Sequence, residues 1–156
     1  MKKTIVVTGV SSGIGAQTAA QLRDAGHRLI GVDRNPPAQA NGDHTEDFVQ
    51  LDLSSADSIE AGVAQLTELA GGQIDGLANI AGVPGTAPAE VVMGVNVIGL
   101  RDFTQALLPQ LASGAAIVNL ASSVAVDWRN HLDEENRALQ ANSVDELKAD
   151  EQVWAL

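Results

Sequence analysis

The 156-residue sequence has no cysteine and no tyrosine, and only two tryptophans and two phenylalanines. Without cysteine there is neither a disulfide framework nor a thiolate metal site. His27, His44 and His131 are scattered along the chain, so no metal site is expected. Bases are scarce as well: nine lysines and arginines against twenty acids give a net charge of −11. Nucleic acid, whose backbone wants a basic surface, is therefore not an expected partner, nor is an anionic membrane surface. The apolar run after Met1-Lys2-Lys3 is too short for a signal peptide and ends in a glycine turn. No stretch reads as long enough to span a bilayer. The expectation is a cytoplasmic protein, one domain by length.

What is present is concentrated between residues 4 and 15. Thr4 to Thr8 reads as a short buried strand, with three β-branched apolar residues between threonines. Gly9, Gly13 and Gly15 punctuate a turn, and helical spacing follows to Ala25, with Gly26 as its C′ glycine. Strand, glycine turn and helix make a phosphate cradle: glycine lets the backbone approach a ligand, and the helix start attracts an anion. The candidate cradle residues are Gly9, Ser11, Ser12, Gly13, Ile14 and Gly15.

Arg28 to Asp33 reads as a second strand ending in an acid. In a parallel sheet the C-terminal strand ends face the ligand crevice. A carboxylate there, about twenty residues past the glycine turn, suits the ribose hydroxyls of a dinucleotide. It would repel the extra phosphate of NADP, so Asp33 favours NAD. The guanidinium of Arg34 could serve that phosphate, which keeps NADP as the second candidate. Asn35 to Asp47 reads as a polar loop, and Asp47 to Leu53 as a third strand. Ser54 or Ser55 can cap a helix with Ile59, Val63, Leu66 and Ala70 on one face, stopped by Gly71 and Gly72. Ile74 to Ile80 is a fourth strand. Val83 to Pro88 is a loop, and Ala89 to Ala112 a long apolar helix containing Asn96. Ala115 to Ala121 is a fifth strand running into Ser122-Ser123.

The pattern Thr8-Gly9-x-x-x-Gly13-x-Gly15 resembles the short-chain dehydrogenase/reductase family. The resemblance implies an α/β Rossmann-type doubly wound parallel sheet in the order 3-2-1-4-5, over residues 1–126, with an acidic helical tail over 127–156. It implies that Asp52 and Leu53 border an adenine. Asn79-Ile80-Ala81-Gly82 resembles the family's Asn-Asn-Ala-Gly segment, with Ile80 in place of the second asparagine, so Asn79, Ala81 and Gly82 are implied to steady the sheet and line the cofactor. Asn96 is implied to hold a local helix distortion and to support a proton relay. Ser123, with Ser122 one register away, is implied to orient the oxygen of an alcohol or ketone. Homo-oligomers are implied, with the long helix contributing to the contact.

The resemblance stops at the family's Tyr-x-x-x-Lys. No tyrosine exists, and four residues before Lys148 stands Val144, which cannot carry a proton. The acidic tail reads as a helix from Leu132 to Ala141 and a second, opened by the capping box at Ser143, running to Leu156. It is loosely similar to the insertion of bacterial 3α-hydroxysteroid dehydrogenase/carbonyl reductases, which implies a catalytic tyrosine beyond Leu156. The expected activity is NAD-dependent chemistry on a secondary alcohol or ketone, with a hydroxysteroid as one candidate. The alternative is a non-catalytic module that holds NAD or a partner subunit. A sugar-nucleotide epimerase fits less well, because its glycine pattern is Gly-x-x-Gly-x-x-Gly. The fifth strand is an apolar edge that needs a cover: a further segment, the tail, or another subunit.

Overall fold

The computed structural model describes residues 1–37 and 47–154. Most of the expected polar loop, and the last two residues of the tail, lie outside these. Five strands form one sheet: β1 (Thr4–Thr8), β2 (Arg28–Asp33), β3 (Asp47–Gln50), β4 (Ile74–Asn79) and β5 (Leu111–Asn119). Their order is β3-β2-β1-β4-β5 and every pairing is parallel. The chain steps outward from β1 to β3 and then crosses to the other side for β4. The strand order thus reverses between β1 and β4, where α/β folds open a ligand crevice.

Both faces of the sheet are covered at β1, β2 and β4, which is why these strands are largely apolar rather than alternating. One face packs Val6, Ile30, Val32 and Leu77 against Ile59, Leu66, Phe103 and Leu107. The other packs Val7, Val10 and Leu29 against Ala19. Phe103 is fully buried, a burial that contributes roughly 1.5–3 kcal/mol. The helix α1 (Gly13–Asp24) belongs to the second face. The helix α2 (Ala56–Ala70) belongs to the first; Ser55 accepts from the Ser58 N–H at its start and Gly71 adopts the left-handed conformation at its end. Arg28 ties three elements together: its guanidinium meets the Asp47 carboxylate at 2.6 Å and donates to the Leu69 and Ala70 carbonyls at the end of α2.

A continuous helical rod follows β4: α3 (Ala89–Met93), a π turn (Gly94–Gly99), α4 (Leu100–Leu107) and a 3-10 turn (Leu108–Gln110). Two expectations change here. The helix does not reach Ala112, because Pro109 ends it, and β5 starts at Leu111. The joined rod, Ala89–Gln110, has 22 residues and a mean hydropathy of 1.3. By length and composition it does match a bilayer span, contrary to the sequence expectation. Its inner side, with Phe103 and Leu107, is part of the core. Two further boundaries moved. β3 stops at Gln50, because Asp52 turns the chain by accepting from Ser54 and giving its own N–H to Ser58 Oγ. β5 carries a bulge near Gly114, so that Ile74 pairs Leu111 but Gly76 pairs Ala116.

The tail begins with 3-10 turns (Ser123–Asn130) kinked at Ala125. α5 (Leu132–Gln140), α6 (Val144–Ala149) and α7 (Glu151–Trp154) follow. Ser143 caps α6 as the sequence suggested, accepting from the Glu146 N–H at 3.1 Å. The helix does not run on: Asp150 breaks it, takes Arg137 as an ion-pair partner at 2.7 Å, and accepts from Val153 N–H to open α7. The tail has an apolar side that the charge count concealed. Ala138, Ala141, Leu147 and Val153 pack on Ile98 of the π turn, with Met93, Val144 and Trp154 at the margin. Arg101 of α4 donates to the Leu139 and Ala141 carbonyls. Val144 is thus a packing residue. The tail lies on the rod and leaves the β5 edge open, with Ile117, Val118 and Leu120 exposed.

Candidate functional site

A cavity of about 370 Å³ opens at the C-terminal ends of β1, β2 and β4. Its wall is built first by the glycine turn. Gly9, at φ +78°, gives its N–H to Val32 O at 2.8 Å. A Cβ on Gly9 would stand 2.9 Å from Ala81 N, and one on Gly15 would stand 2.0 Å from Gly9 O. Only glycine lets the turn, the start of α1 and the end of β4 come this close. Gly13, at φ +55°, has no atom within 4 Å of where a Cβ would stand. Its backbone faces open space.

The start of α1 has an additional property. Ser12 occupies the N-cap position but its side chain makes no capping bond. The first-turn N–H groups, which have no intrahelical partner, are therefore left for an anion.

Asp33 stands at the end of β2 in the same wall. Its Oδ2 accepts from Ser11 N–H and its Oδ1 from Asn35 N–H, both at 3.0 Å. Each oxygen keeps one lone-pair direction for a further donor. The same carboxylate thus shapes the glycine turn from behind. Ser11 Oγ donates to Asn35 O, and Gln50 Nε2 to Arg34 O, closing that end of the cavity. Leu51, Asp52 and Leu53 follow along the wall. The hydroxyl and N–H of Ser54 both donate to Asp52, at 2.7 and 2.9 Å, and hold its carboxyl below the usual range; partial burial opposes them and the Arg34 charge assists.

The end of β4 completes the cavity through Ile80, Ala81, Gly82 and Val83. Two polar side chains fix this segment. The Thr8 hydroxyl, 1% exposed, accepts from Ile80 and Ala81 N–H, both at 2.9 Å. Asn96 grips Val83 with its whole amide, accepting from the N–H and donating to the carbonyl at 2.9 Å each. Asn96 sits in the π turn, at the distortion the resemblance implied.

The structure thus brings together Gly9, Ser11, Ser12, Gly13, Ile14, Gly15, Asp33, Arg34, Asp52, Leu53, Ala81 and Gly82. Three expected residues are placed elsewhere. Asn79 is buried behind the wall, donating to Asn119 Oδ1 at 2.8 Å and to Thr104 Oγ1 at 3.0 Å; it binds β4 to β5 and α4. Asn96 acts on the wall through Val83. Ser123 is exposed at the head of the 3-10 turns and does not line the cavity, and Ser122 is likewise exposed. Thr8 opened the sequence pattern, but sequence reasoning gave its side chain no role. Its signal was its place, a polar side chain at the last position of an apolar strand.

The sequence model of the short chain dehydrogenase family matches residues 3–132. The chain belongs to this family. It is similar to a coniferyl-alcohol dehydrogenase from a Pseudomonas strain, 49% identical over 126 residues, which are 81% of this chain and 46% of that protein. It is 34% identical over 146 residues to the 3-alpha-hydroxysteroid dehydrogenase/carbonyl reductase of Comamonas testosteroni, 93% of this chain and 53% of that one. Among solved structures, the 3-oxoacyl-[acyl-carrier protein] reductase of Brucella melitensis in complex with NAD superimposes with a TM-score of 0.68 at 26% identity. That match covers 81% of this chain and 58% of the reductase. The chain spans about half the length of the curated relatives it matches.

Proposed function

We propose that the cavity holds NAD, and that the chain supplies the dinucleotide-binding part of an oxidoreductase interconverting an alcohol and a carbonyl compound. One observation carries this reading: an uncapped helix start and the strand-end carboxylate of Asp33 share one wall. The fit rests on the open backbone at Gly13 and the free first-turn N–H groups. The turn from Ser11 to Gly15 would hold the pyrophosphate, Asp33 the ribose hydroxyls, and Asp52 with Leu53 the adenine edge. Ala81 and Gly82 would flank the cofactor farther in. Asp33 disfavours the phosphate of NADP; Arg34 is the residue that would meet it, which makes NADP the second candidate.

When bound, NAD supplies the hydride acceptor. The chain's own part is placement. Asn96 holds the Val83 segment in position from the π turn, and Ser123, or Ser122 one register away, would hydrogen-bond the substrate oxygen. Residues 1–126 form the binding unit in this reading, with residues 127–156 as its helical appendage. Identity favours an aromatic alcohol as substrate, after the coniferyl-alcohol relative, over the hydroxysteroid of the less similar one. No tyrosine is present, so these 156 residues bind the dinucleotide without turning over substrate. That absence also supports a second reading, a module that binds NAD and does no chemistry.

The test is calorimetry of the chain with NAD and NADP, beside a turnover assay with aromatic alcohols and ketones. NAD should bind more tightly than NADP, and no NADH should form or be consumed. Binding of neither dinucleotide removes the reading, and measurable turnover shows that another residue is the acid.

A further inference from the structure

A second cavity, of about 410 Å³, lies between the rod and the tail. It is separate from the first. Val95 of the π turn lines the dinucleotide cavity, whereas Met93 and Val97 line this one. Its wall is apolar: Ala89, Met93, Val97, Ala138, Val153 and Trp154. Its volume is within the range of small-molecule sites, roughly 300–1,000 Å³.

The polar groups in that wall have one sign. Glu134 and Glu135, in the first turn of α5, both line the cavity. Among the described residues no cation or donor pairs with either side chain. The cation close by, Lys148, is already answered: its Nζ lies 3.8 Å from Glu90 and 5.7 Å from the centre of the Trp154 ring. An apolar chamber with two unanswered carboxylates fits a molecule with an apolar body and a cationic end. The carboxylates attract an ammonium group, and the rest of such a ligand leaves water for an apolar wall. A carboxylate-bearing ligand of the same shape would meet repulsion.

We propose that this cavity is a binding site for a hydrophobic amine, independent of the dinucleotide site. The test uses three probes with one apolar body: phenylbutylamine, phenylbutanol and phenylbutyrate. They are titrated into the 156-residue chain carrying Trp128→Phe, where Trp154 is the remaining tryptophan. The amine should change the Trp154 emission saturably, at least tenfold more tightly than the alcohol, with the carboxylate weakest. Leu139→Arg, at an exposed position in the wall, should abolish the amine response, and Glu134→Gln with Glu135→Gln should bring amine and alcohol to equal affinity. Dinucleotide affinity, measured on the same samples, should stay unchanged with and without the amine. Equal affinity for all three probes, or an amine response that survives both sets of substitutions, overturns the proposal. Loss of dinucleotide binding alone would touch only the first cavity.

Discussion

Thr8→Val keeps the shape of the side chain and removes one oxygen. In the native structure that oxygen accepts two backbone N–H groups, from Ile80 and Ala81, at 2.9 Å each, in a place 1% exposed. Valine offers neither donor a partner. A fully buried donor left unsatisfied costs about 1–3 kcal/mol; these two are partly buried and border the cavity, so the pair should cost about 1–3 kcal/mol together. That is a sizeable share of the roughly 5–15 kcal/mol by which domains are stable. The assay is urea unfolding followed by far-ultraviolet circular dichroism. With a slope of about 2 kcal/mol per molar urea, the midpoint should fall by about 0.5–1.5 M. Thr8→Ser retains the acceptor and should recover most of the loss. Ala81 lines the dinucleotide cavity, so the valine variant should also bind NAD more weakly under conditions where it is still folded. A valine variant within about 0.5 kcal/mol of the parent, the ordinary scatter of neutral substitutions, would refute the assignment of both donors to this hydroxyl.

Asp33→Ala should weaken NAD by about 10- to 100-fold, the range for losing hydrogen bonds to a charged group. NADP should weaken less, though not by zero, because Ser11 and Asn35 lose their acceptor as well; equal loss for both would remove Asp33 from the ribose. Gly13→Val should abolish dinucleotide binding in calorimetry, since its side chain would fill the open approach at φ +55°. Strain at that φ should cost about 1–3 kcal/mol of stability, and unchanged binding would contradict the cradle. The Asp52 carboxyl is held below the usual carboxylate range, chiefly by Ser54. Its folded value is the lower one, so its stabilisation is complete above the unfolded value and disappears as pH falls through the folded value. Ser54→Ala should therefore lower stability at neutral pH, with the difference shrinking in urea unfolding at successively more acid pH.

The cradle was legible because it depends on local rules. A β-branched run, a glycine turn and an acid at a strand end constrain the backbone wherever they occur, and Gly9, Ser11 to Gly15 and Asp33 line one cavity. The strand order and the places of Asp52 and Leu53 came from the family resemblance instead. Asn79 was harder. Its amide meets Asn119 and Thr104, partners 40 and 25 residues away, and no spacing rule reveals such a pairing. The role of the Thr8 hydroxyl was missed for the same reason, since its two donors are more than seventy residues on. The rod's end was readable in Pro109 and was overrun by the apolar pattern around it. The tail's apolar side was masked by charge: Ala138, Ala141, Leu147 and Val153 are too few and too widely spaced to outweigh seven acids in a count.

The open flank of β5 has a colloidal consequence. From Phe103 to Val126 the chain carries no charged residue, and Ile117, Val118 and Leu120 are bare to solvent there. Only the acidity of the remaining surface holds two molecules apart at that flank. The repulsion extends about 30 Å in 0.01 M salt and about 8 Å in 0.15 M. Adding salt thus brings sticky flanks within reach of each other, and the clarity of a solution of this chain is governed by its ionic strength.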